Sequence, residues 1–437
     1  MSAKHAFRGR FRAVLCVALG ALLGWAGSTL EAGAQAVPVQ VVMQPDGSWQ
    51  LLRGGAPFFV KGAGGDGSLQ ALADAGGNAV RTWSTDRGRA VLDSAQAHGL
   101  VVMMGLWMGH ERHGFNYSDA WARQDQLNRF RKVVRELRDH PALLMWGVGN
   151  EVDLFYSNLN VWSAVEDVAA MIHEEDPLHP TCVVTAGIDV AEVQILRAEC
   201  PSVDLLGVNT YGGIDALRAQ VRLYGWEKPY LVTEWGATGH WEVEKTAWGA
   251  PMEESSTLKT QRYADRYRTG IASDAGRCLG SFAFLWGQKQ ETTPTWYGVF
   301  LENGLPMGPV DALTEAWSGA PPAHRAPEIR RFTLNGASPN ASLVVRPGDR
   351  CVAEVDCVDP DGDPITITWE FLPESVHTLA GGDREIRPET LTGIAGPTVD
   401  GRMNFRAPTV PGPYRLFLYA TDTRGKAAAA NFPFLVR

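Results

Sequence analysis

The stretch Leu143-Leu-Met-Trp-Gly-Val-Gly-Asn150-Glu151 is the one from which the fold can be inferred. Its first residues are almost all apolar, so it is typical of a strand that is buried on both faces. The strand ends in an amide and a carboxyl group. Pro229-Tyr-Leu-Val-Thr-Glu234 is a second apolar run that ends in a carboxyl group. Barrel enzymes place reacting groups at the C-terminal ends of buried parallel strands, so the two glutamates are candidates for one site.

Strands and helical segments alternate from Pro57 onwards, which predicts an α/β chain with a (β/α)8 TIM barrel. The predicted strands are Phe58–Gly62, Asn78–Trp83, Leu100–Met108, Leu143–Glu151, Thr181–Ala186, Asp204–Tyr211, Tyr230–Trp235 and Ser281–Trp286. Between the third and fourth strands, Asp119–Asp139 carries apolar residues at helical spacing, as expected of a crossover helix. A hairpin over Val39–Val60 precedes the barrel and is expected to close its floor.

The composition of the chain changes near residue 319. The predicted barrel domain, with its N-terminal hairpin, covers residues 37–319. Residues 320–327 form a Pro-rich linker. Residues 328–437 contain short alternating strands between Pro and Gly turns, which predicts a small all-β immunoglobulin-like sandwich. The linker predicts that a chain ending near Ala320 folds alone.

Residues 1–36 are predicted to be a secretory signal peptide. A basic region from Lys4 to Arg12 precedes an uncharged run, and Ala34-Gln-Ala36 matches a cleavage site. The alternative is a membrane anchor, because the uncharged run is about long enough to span a bilayer. Cleavage would give a secreted or periplasmic protein with no membrane insertion.

The composition indicates a soluble globular protein, with 45% hydrophobic and 20% charged residues. The net charge of −9 argues against nucleic acid as a partner. The 15 Trp residues suggest a carbohydrate partner because Trp faces stack on sugar rings, although Trp also fills protein cores. The pattern carries no signal for an oligomeric state.

Two strand-end motifs carry a family resemblance. Trp146-Gly-Val-Gly-Asn-Glu151 resembles the strand-4 motif of the clan A glycoside hydrolases, and Pro229–Gly236 resembles the strand-7 motif of that clan. The barrel looks closest to those of family 2 and of β-glucanosyltransferases. The C-terminal segment resembles polycystic-kidney-disease and cadherin-like immunoglobulin modules. The resemblance implies that Glu151 is the general acid/base and Glu234 the nucleophile. The alternative is that both glutamates merely end buried strands and are held by ion pairs.

The resemblance also implies supporting roles for Arg81, His110, Asn150, Tyr211 and Trp286. Arg81 would keep Glu234 ionised, and Tyr211 would donate a hydrogen bond to it. Asn150 would bind the sugar 2-hydroxyl group. His110 matches a histidine position of the clan, with His113 as the alternative, and Trp286 would stack on a sugar rather than fill the core. Further candidates for the site are Trp83, Trp107, Asn209, Trp235, Trp296 and Tyr297.

Three other patterns point to cofactors or metals and carry less weight. Gly62–Gly67 satisfies the dinucleotide-binding pattern, but a lone match is weak and eight repeats exceed a Rossmann half. His110-Glu-Arg-His113 lacks the spacing of a zinc site. No cofactor and no catalytic metal are therefore expected. Asp359, Asp361 and Asp363 could hold a structural calcium ion, although an Asp/Gly turn is the favoured interpretation. The remaining loop acids are expected to be solvated charges: Glu111, Glu242 and Glu244.

Five cysteines follow the predicted cleavage site: Cys182, Cys200, Cys278, Cys351 and Cys357. Cys351 and Cys357 lie in one strand-like run, too far apart to bridge if that run is extended. Cys182 and Cys200 each adjoin a barrel strand, so the sequence allows either a disulfide bridge between them or two buried thiols.

Together these motifs predict a retaining β-glycoside hydrolase that acts on a β-linked polysaccharide or oligosaccharide, such as a β-glucan, through a glycosyl-enzyme. The first alternative is a transglycosidase, which shares the first chemical step. The second alternative is a catalytically silent polysaccharide-binding protein, and the presence of both glutamates argues against it.

Overall fold

The computed structural model of the protein describes residues 35–437. The predicted signal peptide, or membrane anchor, falls on residues 1–36 and so lies almost wholly outside the described residues. Within residues 35–437, no helix is both long enough and apolar enough to cross a membrane.

A small antiparallel sheet lies under the barrel, as the hairpin prediction anticipated. Its strands are β1 (Val39–Met43), β2 (Trp49–Arg53) and β3 (Ala56–Phe58), in the order β1-β2-β3. Trp49 donates its backbone N–H to the carbonyl of Gly276, just before the last barrel strand. Val39 and Leu51 are buried in the same apolar cluster as residues inside the barrel. The sheet therefore covers the N-terminal ends of the barrel strands.

Eight parallel strands close into a barrel, which confirms the predicted fold class. The barrel strands are β4 (Val60–Gly64), β5 (Ala79–Arg81), β6 (Val101–Leu106), β7 (Leu143–Val148), β8 (Thr181–Ala186), β9 (Leu205–Asn209), β10 (Tyr230–Gly236) and β11 (Cys278–Phe284). β11 pairs with β4, with Phe284 opposite Gly64. A Cβ atom at Gly62 would lie 2.4 Å from Phe282, so this glycine lets a large ring fill the barrel interior.

The predicted and observed strands differ mainly at their ends. The last strand was expected at Ser281–Trp286, and it ends at Phe284 because the N–H of Leu285 bonds to the carbonyl of Tyr297 in the following loop. The fourth predicted strand included Asn150 and Glu151, whereas β7 ends at Val148. Both residues therefore stand in the loop beyond the sheet, where side chains are free to face a ligand.

Helices cover the outside of the barrel. They are α1 (Leu69–Asp74), α2 (Gly88–Ala97), α3 (Ala120–Leu137), α4 (Asn160–Glu175), α5 (Val190–Glu199), α6 (Ile214–Leu223), α7 (Ser256–Arg266) and α8 (Gly308–Ser318). In α3 the side chain of Asp119 accepts the N–H groups of Trp121 and Ala122, a typical N-cap. Phe130 and Val134 lie on the buried face of α3, as the apolar spacing predicts.

The C-terminal residues form two four-stranded sheets. Their strands are β12 (Glu328–Leu334), β13 (Val344–Val345), β14 (Arg350–Val358), β15 (Ile365–Pro373), β16 (Thr398–Val399), β17 (Arg402–Arg406), β18 (Gly412–Asp422) and β19 (Ala427–Val436). The sheet orders are β12-β14-β17-β16 and β13-β19-β18-β15. Side chains from both sheets share one apolar cluster, so this part of the chain is an all-β domain, here called the sandwich.

The sandwich packs directly on the barrel. Met307 of the barrel forms a β-bridge with Ala427, and both are buried in one apolar cluster. Asn431 donates from Nδ2 to Oε2 of Glu253 at 2.6 Å, and Arg415 donates to the carbonyl of Pro251 at 2.8 Å. This buried contact is a physical argument against the expectation that a chain ending near Ala320 folds alone.

The cysteines of the described chain are all free. Cys182 is the second residue of β8 and packs in the barrel interior. Cys200 follows α5 outside the barrel, and its thiol donates to the carbonyl of Trp162. Burial raises the pKa of each thiol to about 12. The two residues face opposite sides of the barrel wall, so the alternative of a Cys182–Cys200 bridge is wrong and both are buried thiols.

The predicted Asp/Gly turn is stabilised by local hydrogen bonds. Asp359 Oδ1 accepts the N–H groups of Asp361 at 2.8 Å and Asp363 at 3.1 Å. Asp361 in turn accepts the N–H of Arg325 at 2.7 Å, which ties the turn to the Pro-rich segment. Across residues 35–437, no three His, Cys, Asp or Glu side chains are grouped so as to hold a metal ion.

Candidate active site

Glu234 lies near the end of β10 and receives hydrogen bonds from three side chains. Arg81 Nη1 and Trp83 Nε1 each donate to Oε1 at 2.8 Å, and the hydroxyl of Tyr211 donates to Oε2 at 2.9 Å. Glu234 is only 6% exposed. An arginine and two neutral donors stabilise the ionised form of a buried carboxyl group. This environment suits a nucleophile, because three donors hold the carboxyl group in one orientation.

Arg81 links Glu234 to the end of β7. Its Nη1 also donates to the carbonyl of Thr233 at 2.9 Å, and its Nη2 donates to Oδ1 of Asn150 at 2.6 Å. Arg81 is 2% exposed, and its guanidinium lies 5.3 Å from the ring centroid of Trp83. The planar guanidinium group of arginine has several N–H donors and can bond to separate acceptors at once, which the single ammonium group of lysine cannot do in the same geometry.

Glu151 stands across from Glu234 in a different environment. Its side chain accepts a hydrogen bond from Asn209 Nδ2 at 2.9 Å. Burial, and next the charge of Glu234, raise the pKa of Glu151 to about 7. Its backbone has φ = 51°, a left-handed conformation that few side chains adopt. A carboxyl group with such a pKa carries a proton in slightly acidic solution and releases it near neutrality, as a general acid/base must.

Asn209, at the end of β9, is held by a neighbouring strand. Its Oδ1 accepts from the hydroxyl of Thr233 at 2.8 Å, which fixes which way the amide points. Its Nδ2 donates to Glu151 and, at 3.2 Å, to Oδ1 of Asn150. With Oδ1 of Asn150 occupied by Arg81 and Asn209, the Nδ2 of Asn150 remains to donate towards the cleft.

The two glutamates share one cleft of about 630 Å³ at the C-terminal ends of the barrel strands. Its Trp, Tyr and Phe lining residues are Trp83, Trp107, Phe155, Tyr211, Trp241 and Phe284. Aromatic faces offer the apolar surface against which sugar rings stack. Of the predicted aromatic candidates, the structure therefore brings Trp83, Trp107 and Tyr211 to the cleft.

The prediction that Trp286 is a sugar platform is wrong. Its ring is 2% exposed and packs on Phe300 and Trp317, and its Nε1 donates to the carbonyl of Ser68. Because β11 ends before it, Phe284 and Leu285 face the cleft in its place.

The further candidates Trp235, Trp296 and Tyr297 are core residues rather than lining residues. Trp235 packs between Tyr263 and Tyr267 on the outside of the barrel. Trp296 is 1% exposed and donates to the carbonyl of Thr238. Tyr297 is 2% exposed and its hydroxyl contacts His240.

His110 lies beneath the cleft rather than in it. Its ring stacks on Trp107 with centroids 4.8 Å apart, and both ring nitrogens are buried without a hydrogen-bond partner in the described chain. Burial, then the charge of Arg112, lower its pKa to about 4. The alternative, His113, contacts Asp383 of the sandwich instead. His110 thus supports the ring of Trp107, and neither histidine lines the cleft.

Several lining residues were not anticipated from the sequence. Glu242 was expected to be a solvated charge, but its Oε2 accepts the N–H groups of Gly212 and Gly239, each at 2.8 Å, beside the cleft. Lys289 and Glu291 of the loop after β11 also line it. So do Ala380–Gly382, which come from the sandwich. No local sequence signal marks these residues, because they reach the cleft through loop and domain packing.

Comparison with known proteins finds a family model that matches part of the barrel. Residues 69–242, which include both glutamates, match the family model "Glycosyl hydrolases family 2, TIM barrel domain". A curated β-glucuronidase from Sus scrofa is 24% identical over 222 residues, which are 43% of this chain and 32% of that protein. The chain thus spans about a third of the length of that relative.

Several solved β-glucuronidase structures have a similar fold. That of Dictyoglomus thermophilum has a TM-score of 0.50 and 20% identity, over 65% of this chain and 54% of that chain. That of Bifidobacterium dentium, complexed with coumarin-3-O-glucuronide, has a TM-score of 0.50 and 19% identity, over 65% of this chain and 50% of that chain. At these identities the likeness concerns the fold alone.

Proposed function

We propose that the protein is a retaining β-glycoside hydrolase that forms a glycosyl-enzyme on Glu234. The observation that carries the proposal is the pair of unlike carboxyl groups in one cleft. Glu234 accepts three hydrogen bonds, one of them from an arginine, whereas the pKa of Glu151 is raised to about 7. Two carboxyl groups held in such unlike environments can act as nucleophile and acid.

The chemistry follows in two steps. In the first, a carboxylate oxygen of Glu234 attacks the anomeric carbon while Glu151 gives its proton to the departing glycosidic oxygen. In the second, ionised Glu151 takes a proton from water, and the resulting hydroxide displaces Glu234 from the anomeric carbon. Asn150 Nδ2 would donate to the sugar 2-hydroxyl, a bond that strengthens in the transition state.

The charges of the cleft favour a neutral sugar. Its acidic lining residues are Glu151, Glu234, Glu242 and Glu291. Lys289 is the one lysine or arginine that lines it within residues 35–437, and its Nζ bonds to Glu291 at 2.9 Å. A uronic acid would bring a further negative charge into this acidic cleft, at an electrostatic cost. We therefore favour a neutral β-linked oligosaccharide or polysaccharide, such as a β-glucan, over a glucuronide.

The test separates the two glutamates by role with azide as an external nucleophile. Azide should restore turnover of an aryl β-glycoside by Glu151→Ala and give the β-glycosyl azide, because it needs no general base. With Glu234→Gly it should enter from the opposite face and give the α-azide. NMR of the products decides the roles, and a product of inverted configuration from the unmodified enzyme would overturn the retaining mechanism.

A second measurement tests the substrate class. Aryl β-glucoside, β-galactoside, β-mannoside and β-glucuronide should be compared at equal concentration by kcat/KM. At least one neutral glycoside should exceed the glucuronide. A clear preference for the glucuronide would contradict the neutral-sugar proposal while leaving the mechanism intact.

A further inference from the structure

The sandwich contributes part of the cleft wall through one loop. The loop between β15 and β16, residues 374–397, is here called the sandwich loop. Its residues Ala380–Gly382 line the same cleft as Glu151 and Glu234. The barrel that matches the glycoside hydrolase family therefore does not enclose its cleft alone.

Glu385 ties the sandwich loop to the barrel loop that follows β11. Its Oε2 accepts the N–H of Thr292 at 2.6 Å, and its Oε1 accepts the N–H of Leu379 at 3.0 Å. Glu385 is 5% exposed. Hydrogen bonds from backbone N–H groups to a buried carboxylate are among the stronger ones in proteins. Lys289 adds a second tie, since its Nζ donates to the carbonyl of Gly382 at 2.5 Å.

The opposite side of the sandwich loop rests on the loop after β6. Asp383 contacts His113 Nε2 at 2.9 Å and Arg112 Nη2 at 3.5 Å. Gly381 has φ = 65°, and a Cβ atom there would lie 2.6 Å from Arg112 Nη2 and 2.9 Å from Leu154. A glycine is thus required for this close approach, and the loop is fixed on both sides of the cleft.

Glu291 lies between Lys289 and Thr292, two residues of the loop after β11 that bond to the sandwich loop. Its Oε2 accepts from Lys289, whereas its Oε1 accepts no hydrogen bond from the described residues. Burial raises the pKa of Glu291, and the charge of Glu234 contributes. An oxygen that lines the cleft with no protein donor is suited to accept a hydrogen bond from a sugar hydroxyl.

We propose that Glu291 binds a sugar hydroxyl of the substrate and that Glu385, from the sandwich, positions it. The ligand class is a neutral β-linked oligosaccharide, so the inference rests on the proposed function. Thr292, next to Glu291, has φ = 64°, a conformation that the bond to Glu385 helps to maintain. Glu385 is a positioning residue, because it acts on the substrate only through the barrel loop.

The experiment measures binding and turnover of the full chain with cellotetraose, laminaritetraose and mannotetraose as probes. Titration calorimetry gives Kd, and release of reducing sugar gives kcat and KM. Glu291→Gln should raise Kd of the preferred probe roughly tenfold, because a carboxyl acceptor is replaced by an amide. Glu385→Gln should raise Kd and KM in the same direction, with kcat little changed. Glu389→Gln is the matched control, since Glu389 is exposed on the same loop.

The double variant Glu291→Gln/Glu385→Gln separates positioning from a general structural role. If Glu385 acts through Glu291, the double variant should bind no more weakly than Glu291→Gln alone. Additive effects, or a Kd for Glu385→Gln or Glu291→Gln equal to that of the unmodified chain, would overturn the inference. So would failure of the unmodified chain to bind any probe. Binding that depends on both residues without sugar release would instead overturn the proposed hydrolase function and leave this inference standing.

Discussion

The side-chain amide of Asn209 donates a hydrogen bond of 2.9 Å to Oε1 of Glu151. The same nitrogen donates to Asn150 at 3.2 Å, and Thr233 fixes the orientation of the amide. One residue at the end of β9 therefore orients both polar residues that follow β7. The bond also favours the charged form of Glu151 and so lowers its pKa against the larger effect of burial.

The pH dependence of the unmodified enzyme should reflect Glu151. Its folded-state pKa is raised to about 7, and the first step needs it protonated. The value of kcat/KM should therefore fall as pH rises through about 7, as Glu151 loses its proton. A pH–rate profile with an aryl glycoside measures this fall in kcat/KM. A rate that stays constant up to pH 9 would contradict the assignment of Glu151 as acid.

In Asn209→Ala, the fall in kcat/KM should occur at a higher pH than in the unmodified enzyme. Loss of the hydrogen bond removes an influence that lowers the pKa of Glu151, so the protonated form persists to higher pH. The value of kcat/KM should drop roughly ten- to a hundredfold, since a hydrogen bond to a charged group is lost and both side chains lose their orientation. Thr233→Val is the comparison, because it releases the amide of Asn209 without deleting it. A fall in kcat/KM at a lower pH than in the unmodified enzyme would be inconsistent with the observed hydrogen bond.

Tyr211→Phe should lower kcat/KM roughly tenfold or more, because Oε2 of Glu234 loses its donor inside a buried site. Tyr224→Phe provides the control. Tyr224 follows α6 and does not line the cleft, so its hydroxyl should be dispensable. Steady-state kinetics on one aryl glycoside measure both variants. Equal activity of the two would show that the hydroxyl of Tyr211 does not assist Glu234.

A chain ending at Gly319 should be less stable than the full chain. Removal of the sandwich exposes the buried Met307 and Leu301 and deletes the Asn431 bond to Glu253. Each large apolar side chain returned to water costs about 1.5–3 kcal/mol. The truncated chain should aggregate or unfold at a clearly lower temperature, as followed by circular dichroism and light scattering. An unchanged melting temperature would restore the expectation of an independent barrel.

The fold class and the polar side chains at the strand ends could be predicted from the sequence because each depends on local pattern. Apolar runs predicted the eight strands, and the polar residues at or near their C-terminal ends include Arg81, Asn150 and Glu234. Their placement in one cleft follows from barrel closure, since the C-terminal ends of parallel strands share one rim. The position of Asn209 between Asn150 and Glu151 had no local signal beyond its place at a strand end.

The aromatic predictions failed where side-chain direction mattered. Successive strand residues point to opposite faces of the sheet. An error of one residue in the position of a strand therefore places in the core a side chain that was expected in the cleft. Trp235 points outwards to the helices for this reason. Trp286 lies beyond the end of β11 and also packs among core residues, whereas Trp241 reaches the cleft from a loop. The lining residues Ala380–Gly382 lie more than two hundred positions after Glu151 in the chain, so only domain packing brings them there.

Glu151 has a left-handed backbone conformation, so the residue that catalysis needs at this position also lowers the stability of the fold. A non-glycine residue in this conformation costs about 1–3 kcal/mol, and a buried carboxyl group adds to that cost. Asparagine tolerates the same conformation and carries no charge. Glu151→Asn should therefore melt at a higher temperature than the natural protein while losing its acid catalysis. The difference in unfolding free energy between Glu151→Asn and the unmodified protein would measure how much stability the protein loses by having a glutamate at position 151.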